Sequence, residues 1–418
     1  MTVFYRQRLR ALVGAFAAMW AAGAAWAEPA PTFNELLRKG AESPRRLELE
    51  TDVGRAQGLA RQARARPNPT ISVVGENFGG SSPYGGFDRA ETTVQYSQPI
   101  EVGGKRGARV AAADAEIGAA RARSREGRIA YAGDLARLYG AAEVAERRAR
   151  IVEEEVSEAE ADMKLAQALV AAGKEARLRE VQAATELTAA QSQLESARAE
   201  RVAAFGRLAV LAGEEVPFTS LSDSLLDRPA DLQAGKPVDP LGDAGYLAAK
   251  AERDAAAKQL VAERKRAISD VTGQVGVRRF QEDRSTALVA GISVPLNLFD
   301  RNRGNIAAAE AALRGAEARL AAARLGARAN LDAAKSAVSA AEARSQAAGR
   351  TLATAQEAYR LARIAYEAGK SPLIELIAAR RGVSAARRGV LDAAAARLEA
   401  RTSLARIQGL TVTGEPVE

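Results

Sequence analysis

Cysteine and histidine are both absent from the 418 residues. Without cysteine there is no disulfide, no thiolate zinc site, no iron–sulfur cluster and no thiol nucleophile. Without histidine the commonest metal ligand and the commonest general base are missing as well. Methionine is scarce: Met1 and Met19 stand near the start, and only Met163 lies in the body of the chain. These absences argue against an enzyme, and neither a cofactor nor a resident metal is expected. Gly103-Gly104-Lys105 is a weak echo of a phosphate loop but lacks the Walker spacing. Aromatic residues make up 5% of the chain, and Arg and Glu are interspersed along it. A nucleic-acid partner would call for a basic stripe with interleaved aromatics, and none is visible.

The first residues have the pattern of a signal peptide. Arg6, Arg8 and Arg10 form a positive start, an Ala-rich apolar stretch runs to Ala25, and Ala25-Trp26-Ala27 fits a small-residue cleavage site. The apolar stretch is short for a membrane span, which needs roughly 20 residues. Residues 1–27 are therefore expected to be removed on export. No cysteine follows the site, so a lipid anchor there is not expected.

Prolines divide what remains. None occurs between Pro99 and Pro217 or between Pro295 and Pro372. Those tracts are dominated by Ala, Arg, Glu, Leu and Gln, strong helix formers, and read as long helices. Pro217, Pro229, Pro237 and Pro240 cluster in a central linker. The two halves match at a constant offset of 196 residues. Pro99 aligns with Pro295, Val110–Ala115 with Ile306–Ala311, Gly173-Lys174 with Gly369-Lys370, Arg201 with Arg397, and Gly213 with Gly409. Shared Ala-rich composition does not explain the matched Pro, Gly-Lys and terminal Gly.

The expected units are a first repeat over 28–213, a linker over 214–240, a second repeat over 241–410 and a tail over 411–418. Each repeat reads as a helix (43–66 and 241–266), two strands, a long helix (104–172 and 300–368) and a return helix ending at Ala212 or Gln408. Gly173 and Gly369 suit the left-handed position past a helix end, and Ser371-Pro372 adds a start signal to the second return helix. At 1.5 Å per residue the long helix spans roughly 100 Å, nearly the length of the two shorter helices placed end to end.

The strands argue against a plain coiled-coil rod. Ile71, Val73 and Gly75 alternate with Ser72, Val74 and Glu76, and Val271, Gly273, Val275 and Val277 alternate with polar or small residues. Each run approaches the 9–11 residues of a membrane-spanning strand, and Phe78, Tyr84, Phe87 and Phe280 lie near the loop ends. Four strands cannot close a barrel, and single-chain barrels begin at 8. Several chains must then contribute; two or three would satisfy the pattern.

This order of parts, repeated behind a signal peptide, resembles the TolC-like outer-membrane efflux proteins over nearly the whole mature chain. Gln98-Pro99-Ile100 and Val294-Pro295-Leu296-Asn297-Leu298-Phe299 resemble that family's strand-to-helix corner, and Tyr366-Glu367-Ala368-Gly369-Lys370 resembles its helix tip. Residues 97–106 look most like the cobalt–zinc–cadmium resistance branch. The resemblance implies a mainly helical coiled-coil barrel carrying four strands per chain, assembled as a homotrimer with a 12-stranded barrel in outer-membrane lipid of a Gram-negative bacterium. It implies partners too: a periplasmic adaptor (membrane fusion) protein and an inner-membrane pump of the resistance–nodulation–division type.

Such a chain would be a passive exit duct, with heavy-metal cations as the expected cargo and drugs or secreted substrates of the same fold as the alternative. A periplasmic coiled-coil adaptor fits less well, because it would carry one hairpin rather than two equivalent ones. By the resemblance, Gly173, Lys174, Gly369 and Lys370 mark the periplasmic tips and adaptor contacts, and Glu375 matches an acidic residue at the narrow entrance. Offset 196 places Arg179 opposite Glu375, although Glu180-Val181-Gln182 is closer to the family's local pattern. The family's second acidic entrance position is Ala378 here. A ring of Glu375 would favour cations in a narrow aperture; a surface ion pair is the simpler role.

Overall fold

A computed structural model of the chain describes residues 28–40, 43–228, 239–368 and 370–417. The expected signal peptide, residues 229–238 of the linker and Gly369 lie outside the described residues. After the short helix α1 (Phe33–Lys39), the first repeat comprises α2 (Pro44–Arg64), β1 (Thr70–Glu76), β2 (Glu91–Ile100), α3 (Lys105–Ala171) and α4 (Arg177–Ala212). The second comprises α5 (Ala244–Arg266), β3 (Val271–Phe280), β4 (Thr286–Ser293), α6 (Arg303–Glu367) and α7 (Leu373–Gln408). The return helices α4 and α7 match residue for residue at offset 196, and each ends on a left-handed glycine, Gly213 or Gly409. Upstream of the strands the offset differs: Pro44 and Ala244 are 200 apart. The β1–β2 loop (77–90) is longer than the β3–β4 loop (281–285), so the constant offset begins only after the first hairpin.

The helices start and stop for local reasons. Pro44 opens α2, where its missing N–H costs nothing. Asp243 accepts from the Tyr246 N–H and opens α5, three residues later than expected, because Pro240–Gly242 forms a separate 3-10 turn. Helix α1, of 7 residues, is too short to show in the periodicity of the sequence. Its signal is a capping box, in which Thr32 accepts from the Glu35 N–H while Glu35 accepts from the Thr32 N–H. In the tail Thr411 is buried, its N–H donates to the Glu415 carbonyl, and Asn34 of α1 donates to the Glu415 carboxylate.

The long helices, of 67 and 65 residues, each span roughly 100 Å. Helix α3 packs against α2 and α4 on one side and α5 and α7 on the other, whereas α6 packs along α5 and α7. The wall therefore runs in the order α2 with α4, α3, α5 with α7, then α6. The strands follow the same progression in one antiparallel sheet, β1-β2-β3-β4, whose halves join at β2–β3. Both layers end in open edges, at β1 with α2/α4 and at β4 with α6.

The main core lies midway along the helices. Phe33 and Leu36 of α1, Tyr131, Leu135 and Tyr139 of α3, Phe205 and Leu208 of α4, and Leu225 and Leu226 of the linker pack together there. Tyr139 meets Phe33 edge to face at 6.2 Å and donates to the Asp223 carbonyl at 3.0 Å. Burial pushes its phenol up to about 12. Away from this core the seams are lined mainly by alanine, which lets helices approach closely at the expense of buried area.

Candidate functional site

The pairing register sorts the strand residues onto two faces. Val73, Val94, Val277 and Leu288 stand opposite one another in successive strands, as do Ile71, Tyr96, Val275 and Ala290. Between Gln98 at one end and Thr92, Arg279 and Thr286 at the other, this face is apolar and exposed, and Leu288 reaches 84%. The other face carries Ser72, Gln95 and Gln274, and Glu76, Glu91, Thr93 and Arg278. Gln95 donates to Gln274 at 2.7 Å, and Arg278 donates to Glu91 and Thr93 and pairs with Glu76, each at 2.9 Å. One side of the sheet thus suits lipid and the other water.

The strand-to-helix corners are stapled by residues at matched positions. Arg106 donates to the Arg64 carbonyl at 2.8 Å, and Asn302, its partner at offset 196, donates to the Glu263 carbonyl at 2.8 Å. Arg109, paired with Glu101, adds bonds to the Ala63 and Ala65 carbonyls; Asn297, at the position matching Glu101, donates to the Ala267 carbonyl. Both sets satisfy carbonyls at the ends of α2 and α5 that the helices leave unpaired. The two prolines expected at equivalent corners are not equivalent. Pro99 is the penultimate residue of β2, opposite Thr272 and beyond the end of β1, where its missing N–H breaks no ladder with β1. Pro295 lies past the end of β4.

At the far end, Gly173 takes φ +66° after α3. Its N–H donates to the Val170 carbonyl and the Lys174 N–H to the Leu169 carbonyl, a Schellman closure. The Lys370 N–H donates to the Ala365 carbonyl in the same way. Lys174 and Lys370 are exposed. Glu375 sits exposed in the first turn of α7 and accepts from the Ser371 hydroxyl. Glu180 occupies the first turn of α4, half-buried, while Arg179, the true repeat counterpart of Glu375, lies 3.9 Å from Glu175. Gly173, Lys174, Lys370, Glu375 and Glu180, the described residues expected at the tips and entrance, thus lie at the end of the helices away from the sheet.

Two charged assemblies were not read from the sequence, because Arg and Glu are too frequent in it for any pair to stand out. The first laces α7 to α3. Arg380 pairs with Asp162 and Glu158, Arg387 with Glu154, Arg388 with Glu155, and Asp392 with Arg148. Burial pushes the Glu158 and Asp162 carboxyls up, against the opposing pull of Arg380. The second clamps the linker at mid-height. Glu143, buried in α3, accepts from the Leu225 and Leu226 N–H groups and from Ser224, and pairs with Arg147, which also holds Asp227. The matched arginines do one job twice: Arg201 donates to the Thr219 carbonyl and Arg397 to the Leu226 carbonyl.

Among the described residues no group of three or more Asp or Glu is placed to hold a metal ion, and none of the helices is long and apolar enough to cross a membrane. An apolar belt of strands, a polar opposite face and a helical wall about 100 Å long are parts suited to a conduit. Comparison with known proteins agrees. The family model for outer membrane efflux proteins matches residues 41–214 and 246–410. The chain belongs to this family, which is made up of channel proteins. It is 38% identical over 319 residues, 76% of this chain and 72% of the relative, to the nickel-cobalt-cadmium resistance protein NccC of Alcaligenes xylosoxydans xylosoxydans. It is 38% identical over 300 residues, 72% of this chain and 71% of the relative, to the nickel and cobalt resistance protein CnrC of Cupriavidus metallidurans. The fold superposes on the Campylobacter jejuni CmeC outer membrane channel with a TM-score of 0.77 at 12% identity, covering 92% of this chain and 87% of that one.

Proposed function

We propose that three copies of this chain close into the exit duct of a heavy-metal efflux system in the outer membrane. The observation that carries the assembly is a mismatch within the repeat. Ile129 of α3 is 2% exposed, but Leu325, its counterpart on α6, is 72% exposed. The wall that covers Ile129 is the chain's own second half; the wall that would cover Leu325 is α2 and α4 of another copy. Such head-to-tail contacts generate a ring. Three chains of four strands make a 12-stranded barrel with its apolar face toward lipid. Nickel, cobalt or a similar divalent cation is the cargo, on the strength of the resistance proteins this chain resembles. A wall without histidine or cysteine lets such ions pass without strong binding.

In this reading, energy comes from an inner-membrane pump of the resistance–nodulation–division type. A periplasmic adaptor meets the tips at Gly173-Lys174 and Gly369-Lys370, and Glu375 faces the narrow entrance. The mature chain would follow cleavage after Ala27. Heat-modifiable trimers in the outer-membrane fraction, with single-channel conductance in planar bilayers, are expected; recovery only as a soluble periplasmic monomer would refute the duct. Deleting the gene and measuring tolerance to nickel, cobalt, cadmium, zinc and hydrophobic drugs tests the cargo. Unchanged metal tolerance with raised drug sensitivity would replace metal by drug.

A further inference from the structure

The strand residues nearest the loops change the character of the apolar face. One step, about 7 Å, beyond Val73, Val94, Val277 and Leu288, the same face carries Gly75, Thr92, Arg279 and Thr286. Arg278 and Arg279 are neighbours in β3 with opposite surroundings. Arg278, on the polar face, is held by Glu76, Glu91 and Thr93. Arg279, on the apolar face, is exposed and makes no hydrogen bond or ion pair among the described residues. The carboxylates of the adjacent β3–β4 loop are engaged elsewhere. Glu282 pairs with Arg89 at 3.1 Å, and Asp283, within the field of Arg279, accepts from the Ser285 N–H.

The β1–β2 loop turns aromatic rings toward the same face. A Cβ added to Gly75 would lie 3.1 Å from the Phe78 ring, so that ring folds back over the apolar side of β1. Phe87 stacks on Phe78, with centroids 6.0 Å apart and planes 6° apart. The Gly79 N–H donates to the Gly86 carbonyl and holds the two rings together. Phe87 is still 73% exposed. Residues 77–87 hold no charge, in a chain that is 27% charged. From Gly75 to Arg279 the row crosses two strand spacings, about 10 Å.

Aromatic rings are ordinary at the rim of a membrane barrel. A free guanidinium in the adjoining row is not, because acyl chains offer it nothing to bind. We propose that this face binds a phosphorylated glycolipid of the outer leaflet. Its acyl chains run along Val73, Val94, Val277 and Leu288, a sugar ring lies on the open side of Phe87, and a phosphate meets Arg279. The proposal rests on the outer-membrane placement of the sheet given above, and adds which lipid the sheet selects. A lipid held at this row would fix the depth at which the sheet sits.

Both tryptophans, Trp20 and Trp26, fall in the expected signal peptide, so Phe87→Trp gives the mature chain a single tryptophan at the stack. The purified channel in detergent micelles is titrated with bisphosphorylated lipid A, dephosphorylated lipid A and phosphatidylglycerol, and tryptophan emission is followed. Bisphosphorylated lipid A is expected to give a saturable blue shift. Loss of its phosphates, or Arg279→Gln, should weaken its apparent affinity more than tenfold, and Arg279→Lys should restore most of it. If Arg279→Gln fails to assemble, the dephosphorylated lipid tests the same contact. Equal responses to lipid A and phosphatidylglycerol, or an affinity unchanged by Arg279→Gln or by loss of the phosphates, overturn the glycolipid site while leaving the sheet in the membrane. Leu288→Trp checks that placement separately. Quenching by phospholipid brominated on its acyl chains is expected, and no quenching overturns the membrane placement and the inference with it.

Discussion

Helices α3 and α6 are two copies of one sequence pattern in two different surroundings. Both are Ala-rich, unbroken and of nearly equal length, and past both a lysine N–H, Lys174 or Lys370, donates to the carbonyl five residues back. Yet α3 buries Ile129, Tyr131, Leu135 and Tyr139, whereas α6 buries little beyond Leu331 and a few alanines. The return helices repeat the contrast: Leu398 of α7 is 7% exposed, and its counterpart Val202 of α4 is 67% exposed. Burial here belongs to the neighbour, not to the residue. A side chain facing the junction of the two copies is covered, and its counterpart at a free edge is left open.

That contrast can be broken most severely at the free edge. Leu325→Glu should abolish heat-resistant trimers on gels while leaving helical circular dichroism intact, since the side chain is open in the single chain and would be covered only in the proposed ring. Retention of trimers would remove Leu325 from any interface. Inside the chain, Glu143→Ala strands the Leu225 and Leu226 N–H groups in a buried setting and should cost about 3 kcal/mol in denaturant unfolding.

Truncation sharpens the pair of return helices. Leu398→Ala should cost about 2–4 kcal/mol, because Leu398 fills the notch left by Gly140, where even an added Cβ would lie 2.3 Å from its Cδ2. Val202→Ala should cost under about 0.5 kcal/mol in the single chain, yet lower the temperature at which trimers separate. Tyr139→Phe leaves the Asp223 carbonyl short of a donor, for about 1 kcal/mol. The tyrosine also predicts a pH limit. Its proton is held more tightly in the fold than in the unfolded chain, so its contribution is complete below its ordinary value near 10 and is lost as pH rises through about 12. Wild type should therefore lose stability across that window, and Tyr139→Phe should lose less. The smallest effect is expected at the tip. Glu375→Gln should leave stability unchanged and reduce cation preference in reversal-potential measurements; an unchanged preference would strip Glu375 of the entrance role.

Much of the architecture was legible because it is written in spacing. The proline-free tracts, the terminal glycines and the offset of 196 located α3, α4, α6 and α7 to within a few residues. The alternation of Ile71, Val73, Val275 and Val277 identified the lipid-suited face. Helix α1 went unread because its capping box sits in a segment too short to show periodicity. The Arg380–Asp162 lace and the Glu143 clamp went unread for a different reason. In a chain that is 27% charged, nothing local says which arginine will meet which carboxylate.

The sequence by itself determined the repeat, the helix lengths, the two-faced strands and the exclusion of thiol and imidazole chemistry, because each follows from residue type and local spacing. Only the tertiary structure decided that β2 joins β3, that α3 is covered while α6 is left open, and that the arginines of α7 meet the carboxylates of α3. Those outcomes depend on which surfaces meet across the chain. A duplicated pattern specifies its own helices twice, and it takes the arrangement of the copies to make one of them core and the other an edge.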